Sequence, residues 1–73
     1  MAPMPGPLSE AVAQFEAAVR ANPDSADAQY SLGASLSNMP GRTQEALAHL
    51  EIALRLRPDP QLQRDVERLR AGR

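Results

Sequence analysis

The fifteen residues Glu10-Ala11-Val12-Ala13-Gln14-Phe15-Glu16-Ala17-Ala18-Val19-Arg20-Ala21-Asn22-Pro23-Asp24 return, 35 residues later, as Glu45-Ala46-Leu47-Ala48-His49-Leu50-Glu51-Ile52-Ala53-Leu54-Arg55-Leu56-Arg57-Pro58-Asp59. Eight of the fifteen pairs are identical, and most of the others exchange one apolar residue for another. Self-similarity at such a period marks a repeat architecture, in which each unit buries its apolar face against a neighbour. Within each copy the apolar residues step by three and four: Ala11, Val12, Phe15, Ala18, Val19, then Ala46, Leu47, Leu50, Ala53, Leu54. That is the period of an amphipathic helix. Both copies stop at a proline, because the residue before proline avoids helical torsions. Even the Glu16–Arg20 pair recurs as Glu51–Arg55, an i,i+4 pair that supports a helix by a few tenths of a kcal/mol.

Working outward, the first copy predicts a helix over 8–21, with Ser9 as its N-cap. Asp24 or Ser25 then caps a second helix over 25–38, carrying Ala28, Leu32, Leu36 and Met39, which Pro40-Gly41 breaks. Thr43 caps a third over 43–56. Asp59-Pro60 restarts the chain, a capping residue followed by proline at the first helical position. The last helix, over 60–70, presents Leu62, Val66 and Leu69 and ends before Gly72. No segment reads as a strand. The expected fold is therefore all-α, a short antiparallel helical-hairpin solenoid of about four helices over residues 8–71. Residues 1–7 include Pro3, Pro5, Gly6 and Pro7 and read as a disordered tail with too little apolar surface to fold.

The chain resembles the tetratricopeptide repeat family. Residues 28–59 are similar to one full repeat. Leu32-Gly33 matches the Leu-Gly of the opening helix, Ala46 and Ala53 the two small residues of the second helix, Leu50 the bulky residue between them, and Pro58 the closing proline. Ala11, Phe15, Ala18 and Pro23 fill the corresponding places of a second helix from a preceding repeat. Gln29 stands where the family often has Trp, Leu36 where it has Tyr, and the turn at Pro40-Gly41-Arg42 is one residue longer than a 34-residue period allows. The resemblance implies about one and a half repeats plus a C-terminal capping helix. It also implies a peptide-binding groove lined by opening helices, here by Asp27, Tyr30, Ala34 and Asn38. No Lys is present, and Tyr30 and Ala34 occupy the principal clamp places, so the family's grip on a terminal carboxylate is not expected.

Composition narrows the chemistry. The chain has 73 residues, one His, no Cys and no Trp. A domain of this size buries only about 60% of the surface its unfolded chain exposes. No disulfide can supplement that core, and one His without Cys cannot build a structural zinc site. No triad or metal cluster can be assembled, so no catalytic residue, metal ligand or cofactor is expected. His49 aligns with Gln14 of the first copy, which indicates a place that needs only a polar residue. The eight Arg and nine acidic residues give a net charge of −1, which favours neither nucleic acid nor an anionic membrane. The halves differ: 1–36 carry one Arg against four acids, and 37–73 carry seven Arg against five. No run approaches the roughly 18 apolar residues of a membrane span. The start lacks a signal peptide's basic and apolar regions. A cytoplasmic location is expected.

The function expected is a non-catalytic protein–protein interaction module, either a small subunit or an adaptor, completed by self-association or by a larger partner. The shortage of repeats places the partner on the first helix, at an open end formed by Val12, Phe15 and Val19. Arrays commonly need about three repeats for independent stability. An alternative is a transient assembly factor holding a client segment. A nucleic-acid-binding regulator would rest on Arg64, Arg68, Arg70 and Arg73 alone. Asp65 and Glu67 interleave these, and there is no aromatic for base stacking. No small-molecule substrate and no membrane insertion are expected.

Overall fold

The computed structural model describes residues 6–72. It is all-α: α1 spans Pro7–Ala21, α2 Ala26–Ser37, α3 Thr43–Leu56 and α4 Pro60–Gly72, with no strand among the described residues. The reading of 1–5 as a disordered tail lies outside those residues.

The helix ends follow local chemistry, with three corrections to the sequence reading. Pro7 is the first residue of α1 and Gly6 its cap, so Pro7 belongs to the helix and Ser9 is an internal residue. Proline's fixed φ and missing N–H suit the first helical position, and that preference outweighs a serine two residues later. Thr43 likewise lies inside α3, whose cap is Arg42 with no side-chain hydrogen bond. α4 runs on through Gly72 and does not stop before it. The other starts are as read. The Ser25 hydroxyl accepts the backbone N–H of Ala28 at 3.1 Å, and the Asp59 carboxylate accepts that of Gln61 at 3.2 Å; each satisfies a donor that the first turn leaves open. Between α2 and α3, Gly41 takes φ +81°, a left-handed conformation in which a Cβ is strained.

The helices pack in chain order, α1 on α2, α2 on α3 and α3 on α4, in a slab of 41 × 30 × 15 Å. α2 and α3 run antiparallel: Asp27 pairs with Arg57 at one end, and Leu36 lies with Ala46 in one cluster at the other. Two apolar clusters result. Val12, Leu32, Leu36 and Ala46 form one, flanked by Phe15, Val19 and Met39. Leu47, Leu50, Ala53, Leu62 and Val66 form the other, flanked by Leu54 and Leu69.

The closest approach is between α2 and α3. A Cβ placed on Gly33 would lie 2.6 Å from Cγ of Leu50 and 3.1 Å from the carbonyl oxygen of Ala46. Glycine ordinarily weakens a helix by about 1 kcal/mol relative to alanine; here it admits the Leu50 side chain. The polar complement of this packing is Gln29, buried at 3% exposure. Its amide nitrogen donates to the Pro23 carbonyl at 3.0 Å, and its amide oxygen lies 2.8 Å from Nδ1 of His49. Because that oxygen can only accept, Nδ1 carries the proton and donates. Among the described residues no buried side-chain nitrogen or oxygen lacks a partner.

Candidate protein-interaction surfaces

Two surfaces stand out, one on each side of the α2–α3 hairpin. The first is a groove between α2 and α4 with α3 as its floor. One part, about 360 Å³, is lined by Asp27, Tyr30, Ala53, Arg57, Asp59 and Leu62, among others. The adjoining part, about 270 Å³, is lined by Tyr30, Ala34, Ser37, Leu50, Leu62, Asp65, Arg68 and Leu69. Tyr30 and Leu62 belong to both, so the two parts form one continuous trough. Tyr30 is 46% exposed, although its neighbour Gln29 is buried. One helical step of about 100° turns adjacent residues to different faces, which is why Gln29 faces α3 and Tyr30 faces the trough.

Of the four groove residues read from the sequence, three line the trough. Asp27 does so while paired with Arg57, and Tyr30 and Ala34 stand in its centre. Asn38 does not. α2 ends at Ser37, so Asn38 is its C-cap, and its side chain turns back to donate to the Ala34 carbonyl at 3.2 Å. Ser37 takes that place in the trough, its hydroxyl donating to the same carbonyl at 2.7 Å. The α4 wall consists of Leu62, Asp65, Arg68 and Leu69; the sequence reading has Leu62 and Leu69 as the apolar face of that helix but does not place it on the groove. The apolar spacing Leu62, Leu69 was the available signal.

The second surface is on α1, and it is not the one expected. Val12 is only 4% exposed and sits in the cluster with α2, where Phe15 and Val19 pack beside it half-buried. Val12 therefore cannot be part of a free face. The uncovered side is the neighbouring stripe. Ala18 is exposed, and Leu8, Ala11 and Phe15 are half-buried. In α3 the residues equivalent to Ala11, Phe15 and Ala18 are Ala46, Leu50 and Ala53, at 0, 3 and 1% exposure; Gly33 of α2 presses against Ala46 and Leu50, and Ala53 lies in the cluster with Leu62 and Val66 of α4. Among the described residues, the open face of α1 thus corresponds to the face of α3 that α2 covers at Ala46 and Leu50.

The C-terminal arginines are engaged within the chain. Arg64 donates to Gln61 at 3.0 Å, Arg68 to Asp65 at 2.9 Å, and Arg70 pairs with Glu51; Arg73 lies outside the described residues. A phosphate-binding role would have to break these contacts. His49 is held by Gln29 on the side of α3 facing α2, so its polar place has a structural partner that the sequence comparison with Gln14 did not reveal. Among the described residues no three His, Asp or Glu side chains gather where they could hold a metal ion. No described helix is long and apolar enough to cross a membrane. No family model, curated protein or solved structure matches the chain.

Proposed function

We infer that the chain is a non-catalytic protein–protein interaction module, a tetratricopeptide-like hairpin array acting as a small subunit or adaptor in the cytoplasm. The trough between α2 and α4 receives a segment of the client protein. The observation that carries this reading is Tyr30, a large side chain nearly half exposed above a floor of Leu50 and Ala53 that is already dry. An amphipathic ring fixed on a helix and beside apolar floor residues contributes much contact area for little ordering entropy. Asp27–Arg57 on one wall and Asp65–Arg68 on the other give the trough a polar rim of both signs, as interaction patches commonly have.

The test is affinity purification from the native source, with wild type compared against Tyr30→Ala and Ala34→Arg. Ala34 is half-buried in the trough wall, so arginine there fills the trough while leaving the core intact. A stoichiometric partner retained by wild type and lost with both variants, at unchanged circular dichroism, is the expected result. A partner retained by Ala34→Arg would move the binding site elsewhere.

A further inference from the structure

We propose that Met39 is an oxidation site, a methionine whose sulfoxide is received by the Arg42 guanidinium and whose oxidation loosens α1. The turn between α2 and α3 brings the two residues together. Pro40 and Gly41 are the residue types that a type II turn takes at its two central positions, and Gly41 has the positive φ, +81°, that the second of them needs. The Arg42 N–H closes this turn on the Met39 carbonyl at 3.2 Å. Across it, Nη1 of Arg42 lies 3.9 Å from the Met39 sulfur. The rest of the guanidinium is engaged with two helices. Its Nε donates to Glu45 of α3 at 2.5 Å, and its Nη2 lies 3.9 Å from the Glu16 carboxylate of α1. Of the three nitrogens, Nη1 faces the weakest acceptor, because a thioether sulfur accepts poorly.

Met39 is half-buried and packs at the edge of the cluster formed by Val12, Leu32, Leu36 and Ala46. At that edge a small oxidant such as hydrogen peroxide reaches the sulfur. A sulfur lone pair takes one peroxide oxygen, so that an S–O bond forms and the O–O bond breaks. The thioether is oxidised by two electrons to the sulfoxide, and the peroxide is reduced to water. The product is polar and can be reduced enzymatically. Its oxygen is costly among apolar side chains unless it finds a donor. Arg42 supplies one, since Nη1 exchanges a weak contact with sulfur for a charge-assisted hydrogen bond to the sulfoxide oxygen. The oxidised side chain therefore turns toward Arg42 and withdraws from the edge where Val12 and Val19 of α1 pack. α1 packs on α2 alone, so it loses cover, while the α2–α3 hairpin keeps its contact of Gly33 with Leu50. Met39 lines neither part of the trough, so this inference stands or falls separately from the proposed function.

The test is treatment of the purified chain with dilute hydrogen peroxide, followed by peptide mass spectrometry, thermal melts and amide exchange. Wild type is expected to gain one oxygen at Met39. Its melting midpoint should fall by a few degrees, and amides of α1 should exchange severalfold faster while those of α3 do not. Reduction by the two methionine sulfoxide reductases, one per epimer, should restore both readings. Met39→Leu nearly conserves volume and leaves only Met1 and Met4 to react; its melt is expected to be unmoved by peroxide. In Arg42→Ala the sulfoxide has no donor, and peroxide should lower the midpoint about twice as far as in wild type. Met39 left unoxidised after Met1 and Met4 have reacted overturns the proposal, as does a fall of equal size in Met39→Leu or none in wild type. Exchange quickened equally in α1 and α3 overturns the selective loosening of α1. An equal fall in wild type and Arg42→Ala overturns the part given to Arg42.

Discussion

α1 and α3 are near-copies in sequence and opposites in environment. Ala46, Leu50 and Ala53 are among the most buried residues of the molecule, while Ala11, Phe15 and Ala18 run from half-buried to exposed. The helices do not differ in pattern. They differ in which of their sides α2 packs against, the Val12 side of α1 and the Ala46–Leu50 side of α3. A conserved-looking apolar stripe therefore reports the architecture that a sequence is suited to, and only the neighbours decide whether a given residue is core or surface.

The largest effect that can break this contrast is truncation at the bulky position. Leu50→Ala is expected to cost about 2–5 kcal/mol, enough to unfold a domain this small, whereas Phe15→Ala, half-exposed, should cost clearly less. Urea midpoints of the two variants check this, with equal m-values showing that stability alone has changed. Equal losses would mean that α1 is as enclosed as α3. Enlarging the small position is the next test. Ala53→Leu overpacks the cluster that α3 forms with Leu62 and Val66 of α4, at about 1–3 kcal/mol, while Ala18→Leu should shift the midpoint of the monomer by no more than about 0.5 kcal/mol.

The polar position sharpens the comparison further. His49→Ala leaves the buried Gln29 oxygen without its donor, at a cost of about 1–3 kcal/mol. Gln14→Ala at the equivalent exposed place of α1 should be close to neutral, and thermal melts of both variants give the difference. The smallest effect lies at the head of α3. The Arg42 side chain donates a hydrogen bond to Glu45, which holds that carboxyl below the usual glutamate range, with the guanidinium charge adding to the shift. A carboxyl with a depressed folded pKa stabilises the fold above its unfolded value of about 4.3 and loses that contribution as pH falls through the folded one. Melting temperature below that pH should accordingly fall slightly faster for wild type than for Glu45→Gln. Matching profiles would show that this exposed pair does not matter to stability.

Much of this was legible in the chain itself. Pro23, Pro58 and the Pro40-Gly41 step mark where helices stop, because proline acts through its fixed torsion and missing N–H whatever packs around it. The α3 stripe was legible for the same reason as its burial: the period and the neighbour agree. Helix starts were read less well. Ser9 and Thr43 have the residue type of a cap, yet Gly6-Pro7 carries the same proline signal as Asp59-Pro60 and it is the proline that opens α1. The open end expected at Val12, Phe15 and Val19 misses because apolar spacing does not say which edge of the α1 stripe a neighbour takes. The stripe has two edges, and α2 takes the one bearing Val12 and Val19. Gln29 was invisible for a different reason, since a polar residue is read as surface unless its partners are known, and those partners, Pro23 and His49, lie 6 and 20 residues away.

Packing in strict chain order has a kinetic consequence. Each helix touches only the ones before and after it, so native contacts close short loops and the contact order is low, the condition for folding on microsecond to millisecond timescales. The α2–α3 hairpin can form without waiting for either end, and α1 and α4 then add to it one at a time. Amide exchange should rank the helices accordingly, slowest in the central pair and faster outward. The ends of such a chain are the parts it can lend, exchange or lengthen without disturbing the hairpin that holds its shape.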